Sequence, residues 1–295
     1  MNTRIHVFYT DKQVHDAASF SKSPLKPGLL ARRIVLDPSF SIQQDIAPAT
    51  RENLKRVHSA EYVDGVLDGT IANGFGNRSA KDAIAITYTV ANLLDAADYA
   101  YTHDTVAWSL TSGFHHAGHD FGGAFCTFEA LTLVAANFYD CAKVKTLIVD
   151  EDAHYGNGCT DIIERLGMHK YCRYLQSRYT HRTSDLLGYT RQLRTVIEQF
   201  NPGIILYQAG ADNWVGDPLG GELTMQELYQ RDIITLGIAK ELGIPIVVNL
   251  AGGYADDYDH TLAIHMNTGE AIKHIYLDVP ANPLFPVHAV ELEHA

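Results

Sequence analysis

Short, nearly continuous apolar runs punctuate this chain, and between them apolar residues return every three or four positions. The clearest runs cover 105–110, 144–150, 203–208 and 244–250. Runs without polar alternation are expected of strands that helices cover on both faces. A fifth, 170–176, is broken by arginine and tyrosine. Between 82 and 101, Ile86, Val90, Leu93, Ala97 and Tyr101 share one helical face. Thr224-Met225-Gln226-Glu227 reads as a capping box. The helix it opens runs through Ile234, Ile238 and Leu242, then stops at Gly243 with Pro245 just beyond. Strands alternating with helices predict an α/β fold built on a mainly parallel sheet. With no repeat, low-complexity stretch or Pro/Gly/Ser-rich linker, residues 1–295 read as a single domain.

Polar clusters follow the apolar runs. Ser112-Gly113-Phe114-His115-His116 follows the first, and Asp150-Glu151-Asp152-Ala153-His154 closes the second. Gly210-Ala211-Asp212 follows the third, and the fourth leads into Gly252-Gly253-Tyr254. Ligands of open parallel sheets bind outside the carboxyl ends of strands, so all four clusters fall at one edge.

Asp152 and His154 lie two apart and share a face of an extended strand end. With Asp212 they form an Asp/His/Asp set suited to a catalytic zinc, which keeps a fourth position for water. Such a metal polarises a carbonyl and lowers the pKa of its water. An isolated Asp-x-His is common and often only caps a turn; it is the convergence with Asp212 and the histidine pair that favours a metal. One of His115 and His116 could take a proton and return one to a leaving amine, with Asp150 orienting His115. By itself the pair would read as a hydrogen-bonded surface turn. Gly252 and Gly253 permit close approach of a ligand, and Tyr254 beyond them could donate to an oxyanion. The chain has 16 tyrosines, so Tyr254 alone would pass for a core aromatic.

Composition narrows the partners. A formal net charge of −12 argues against nucleic acid and gives a weak bias toward cationic ligands. A hydrophobic content of 46% provides for a sizeable core. Cys126, Cys141, Cys159 and Cys172 form no C-x-x-C pair and read as reduced thiols. Neither a signal-peptide stretch nor a membrane-length apolar run is present, so a cytoplasmic protein is expected.

The clusters, in this order, resemble the zinc-dependent histone deacetylase superfamily. Matching stretches are Gly113-Phe114-His115-His116, Gly123-Ala124-Phe125-Cys126, 150–158, Ala209-Gly210-Ala211-Asp212 with Gly216-Asp217-Pro218, and Gly252-Gly253-Tyr254. His58-Ser59-Ala60-Glu61-Tyr62 looks like an early motif of the same superfamily. The likeness spans roughly 50 to 270. It implies a three-layer α/β/α arginase/deacetylase fold with about eight strands. It also implies Asp152, His154 and Asp212 as ligands of one zinc, His115 and His116 as the catalytic pair, and Tyr254 as the transition-state tyrosine. Phe125 would line an acyl-lysine tunnel, with Gly253 at the substrate. Asp150 would support His115 and contribute to a structural potassium site. The 216–221 run with Arg231-Asp232 looks most like the class IV branch.

Three departures stand out. Tyr155 replaces a frequent second histidine, and Asn157 replaces a frequent aspartate, leaving a neutral partner for His116. The segment from His154 to Asp212 is short, and it normally supplies a further tunnel aromatic and potassium ligands. That leaves the pocket wall open, or to the segment from Phe20 to Pro27, or to a partner subunit in a homo-oligomer. The implied activity is hydrolysis of an N-acylated amine, whether acyl-lysine, acetylpolyamine or another small amide. Two alternatives compete: an arginase- or agmatinase-like site with two manganese ions, and a binding protein without turnover. The absence of further bridging carboxylates after His154 and Asp212 argues against the first.

Overall fold

The computed structural model describes residues 3–17, 19, 21–176 and 185–284. Its strands are β1 (Ile5–Phe8), β2 (Phe40–Gln43), β3 (Val106–Ser109), β4 (Thr146–Asp150), β5 (Cys172–Gln176), β6 (Ile204–Gln208) and β7 (Ile246–Asn249). They form one seven-stranded sheet in the order β2-β1-β3-β7-β6-β4-β5. Every neighbouring pair is parallel. All four apolar runs form strands, and so does the interrupted fifth. The seven strands described stand close to the eight expected.

Helices cover both faces. They are α1 (Lys26–Ile34), α2 (Arg51–Leu54), α3 (Ala60–Leu67), α4 (Ala80–Thr102), α5 (Ala130–Ala142), α6 (Asn157–Arg165), α7 (Leu186–Phe200), α8 (Met225–Glu241) and α9 (Tyr258–Leu277). The layer of α2 to α6 packs on the sheet face that carries Ile148, Ile204 and Leu206. The opposite layer, α1 with α7 to α9, packs on Leu147, Val149, Ile205 and Tyr207. Strand side chains alternate between these two cores, as the pleat requires. This double burial is why the central strands lack a polar face.

The helix read from Thr224 starts there: Thr224 and Glu227 cap one another reciprocally. Such a cap contributes about 1 kcal/mol. Gly243, at φ 64°, ends the helix in the left-handed conformation that glycine adopts at little cost. Asp150 pairs in register with Gln176 on one side and Gln208 on the other, and Gln208 pairs with Asn249. The carboxyl ends of β5, β4, β6 and β7 therefore stop at one level, forming a ledge.

Candidate active site

Four neighbouring strands, β3, β7, β6 and β4, carry the four polar clusters. Their sequence order is scrambled in the sheet, yet their carboxyl ends lie side by side. The histidine pair, Tyr254, Asp212 and the Asp152/His154 pair thus emerge in spatial succession.

The donor atoms of Asp152, His154 and Asp212 lie within 4.8 Å of one another. His154 Nδ1 is 3.0 Å from Asp152 Oδ1 and 2.9 Å from Asp212 Oδ2. Both carboxylates are buried, while His154 remains partly exposed. Burial and the charge on Asp152 push the Asp212 carboxyl up. Burial also acts on Asp152, but His115 and His154 outweigh it and hold that carboxyl low. Hydrogen bonds to the two carboxylates hold the His154 imidazole up at about 10. Two buried carboxylates converging on one partly exposed imidazole form a donor set suited to a divalent cation. Backbone geometry agrees. The Gly252 N–H donates 2.8 Å to Asp152 Oδ2, and a Cβ on Gly252 would fall 2.4 Å from Asp212 Oδ2. Glycine here leaves room for both carboxylates to face the same point.

Asn213 and Tyr155 stay out of this set. The Asn213 amide donates to the Glu151 carbonyl at 2.7 Å, and the Tyr155 hydroxyl accepts from Thr160 at 3.0 Å. Among the described residues, the acidic and histidine donors that converge closely enough for a metal are these three, with no fourth bridging carboxylate beside them.

His115 is buried with Nδ1 2.8 Å from Asp150 Oδ2 and Nε2 3.7 Å from Asp152 Oδ1. Burial alone would lower its pKa, but Asp150, Asp152 and Asp212 raise it to about 9. His116 Nδ1 lies 2.6 Å from Asn157 Oδ1. Burial, then the neighbouring His115, push the His116 pKa down. The two rings, 4.0 Å apart between centroids, are thereby driven to opposite protonation preferences. Adjacent residues reach one site because Gly113 and Phe114 adopt φ 98° and 85°, turning the chain sharply after β3.

The Tyr254 N–H donates 2.6 Å to Asp217 Oδ2. Burial and the carboxylates of Asp152 and Asp212 raise the Tyr254 pKa well above the usual value, so the phenol keeps its proton. The Phe125 ring lies 5.8 Å from Tyr254 and 5.8 Å from Phe75. Phe125 itself sits at φ 69°, a conformation uncommon for a bulky residue. Behind it, a cavity is lined by Ser23, Pro27, Phe75, Phe114 and Cys126, among others. Ser23 and Pro27 belong to the segment from Phe20 to Pro27, one of the alternatives for the pocket wall; Phe20 lies outside the described residues. Gly253, at φ 140°, lets the chain turn between Gly252 and Tyr254.

Several residues escaped the sequence reading. Lys26, fully buried, donates from Nζ to the Ala251 carbonyl and, at 3.2 Å, to that of Gly252. Burial lowers its pKa to about 8, opposed by Asp212, Asp152 and Asp217. Nothing in Leu25-Lys26-Pro27 signals a partner 225 positions away. Arg231, also fully buried, donates to the carbonyls of Glu151 at 3.2 Å and Gly210 at 3.0 Å. It thus ties together the backbones leading to Asp152 and Asp212. Asp232 receives Arg231 at 3.0 Å and accepts from Tyr207 and Thr268. Removing the guanidinium would leave that carboxylate buried without its cation, costing about 3–5 kcal/mol. The Arg231-Asp232 pair was visible in the sequence only as a resemblance, without this role.

Comparison with known proteins agrees with this geometry. A family model described as histone deacetylase domain matches residues 25–172 and 176–268. An uncharacterized protein of Picosynechococcus sp. is 26% identical over 86% of this chain and 92% of its own length. Histone deacetylase 2 of Arabidopsis thaliana is 27% identical, over 77% of this chain and 65% of that protein. Acetoin utilization protein AcuC of Staphylococcus aureus is 24% identical, over 83% of this chain and 75% of that protein. The crystal structure of the HDA15 HD domain matches with a TM-score of 0.75 at 19% identity, covering 90% of each chain. At that identity it speaks for the fold.

Proposed function

Because this chain belongs to the histone deacetylase domain family, we propose that it is a zinc-dependent deacylase acting on the amide of an N-acylated amine. The observation carrying this reading is the meeting of Asp152, His154 and Asp212 with His115, His116 and Tyr254 at one ledge. Acyl-lysine or a small acylated amine is the substrate class.

Asp152, His154 and Asp212 would hold the zinc, which supplies a Lewis acid for the carbonyl and lowers the pKa of water. His116, kept neutral by burial and by the neighbouring His115, is placed to accept a proton at Nε2, since Nδ1 faces the Asn157 oxygen. His115, oriented by Asp150 through Nδ1, is placed to give one to the leaving amine. Tyr254 keeps its phenolic proton for the developing oxyanion, and Asp217 fixes its backbone. Phe125 offers an apolar wall beside Tyr254 for the acyl-bearing chain. The overall negative charge adds a weak attraction for the cationic amine product.

The test is a panel of acetyl-lysine, longer acyl-lysine and acetylpolyamine substrates with the zinc-loaded protein. Release of the acid with sensitivity to a hydroxamate supports the reading. Urea release with two manganese ions, or ligand binding without turnover, would replace it.

A further inference from the structure

The resemblance carried a structural potassium ion beside Asp150, and the residues there do not fit one. Gln176, at the end of β5, donates from Nε2 to the carbonyl oxygens of Asp152 at 3.1 Å and His154 at 2.7 Å. Both partners only accept, so the amide nitrogen, with its hydrogens, must face them. Its neighbour Tyr174 donates 2.6 Å to Asp150 Oδ2 and accepts from the Gly156 N–H at 3.2 Å. β5 therefore grips the 150–156 turn at its carboxylate, at two carbonyls and at one N–H. A monovalent cation in such a nest would need oxygen atoms alone around it; here N–H dipoles point their positive ends into the same space.

We propose that the Gln176 side chain replaces a monovalent cation, acting as a positioning residue for Asp152 and His154 and freeing the site from potassium. The amide supplies positive density to the two carbonyls without adding net charge. Because it is covalently attached to β5, it is present at every ionic composition. Asp150 is left to His115 and Tyr174, both already within hydrogen-bond distance. Holding the carbonyls of 152 and 154 fixes the backbone from which both ligand side chains project. This rests on reading Asp152 and His154 as metal ligands.

The experiment compares the full chain in potassium chloride and in choline chloride at equal ionic strength. Melting temperature is read on both metal-free and zinc-loaded protein, alongside zinc affinity and deacylase rate. The wild type is expected to give the same values in both salts. Gln176→Ala frees both carbonyls, so zinc affinity and rate should fall about tenfold in choline and recover in potassium. Gln176→Glu, which keeps the length but cannot donate, should acquire the same potassium dependence and guards against a folding failure of the smaller variant. Potassium activation or stabilisation of the wild type would overturn the proposal, as would Gln176 variants indifferent to the salt. The melting temperature of the metal-free protein needs no zinc and no turnover. If it behaves as expected while zinc fails to bind, the functional reading falls and the role of Gln176 in holding the turn stands.

Discussion

The backbone N–H of Gly252 donates to Asp152 Oδ2 over 2.8 Å, joining the end of β7 to the end of β4 across β6. One hydrogen bond thus couples the Tyr254 turn to the Asp152 carboxylate. A side chain at Gly252 would break this relation sterically. Its Cβ would lie 2.4 Å from Asp212 Oδ2 and 2.7 Å from Asp152 Oδ2. Gly252→Ala should therefore fold but bind zinc at least about tenfold more weakly, by competition with a chelating dye. Unchanged affinity would mean that the carboxylates do not converge there.

Asn157 accepts from His116 Nδ1 at 2.6 Å and opposes the burial and the neighbouring His115 that lower the pKa of His116. In Asn157→Asp the new carboxylate favours the imidazolium, raising the pKa of His116. A base must lose its proton to work, so the acid limb of kcat/KM should move to higher pH by about one unit. An unmoved limb would take His116 out of the role of base.

His58 links the early motif to α5. Its Nδ1 lies 2.8 Å from the Gly118 carbonyl, and its Nε2 accepts from the Glu129 N–H at 2.8 Å. Burial lowers its pKa to about 4 from an unfolded value of 6.5. The native state thus favours neutral His58, whose stabilisation is complete above pH 6.5 and is lost as pH falls toward 4. The difference amounts to roughly 3 kcal/mol. His58→Gln should be less stable at neutral pH and show a shallower loss on acidification. Parallel melting curves for the two proteins between about pH 7 and 4 would refute the assignment.

Burial holds the Tyr254 phenol well above its usual pKa, so it keeps its proton for a developing oxyanion. Tyr254→Phe should keep zinc and the fold while kcat on an acetyl substrate drops about 100- to 1,000-fold. Loss of zinc along with activity would place Tyr254 in the metal site's support instead of at the oxyanion.

Much of this arrangement was legible because two physical constraints write themselves into sequence. Strands buried on both faces must be apolar throughout, which exposed β3, β4, β6 and β7. Metal and proton-transfer chemistry would need particular side chains, which made Asp152, His154, Asp212 and the histidine pair stand out in the sequence. β1 and β2 escaped because His6, Ser41 and Gln43 interrupt their short apolar runs. α1 escaped because it opens on Lys26-Pro27-Gly28 and carries Arg32 and Arg33. The supporting contacts of Lys26, Arg231 and Gln176 go largely to backbone carbonyls. Every residue offers a carbonyl, so such partners leave no signature in the chain.

The central claim is that Asp152, His154 and Asp212 hold one zinc ion. Its most direct test is the metal content of the purified wild type and Asp212→Ala, measured by elemental analysis after equal exposure to zinc, with folding checked by circular dichroism. One zinc per chain is expected in the wild type and none retained by a folded Asp212→Ala. Full zinc occupancy in Asp212→Ala would contradict it.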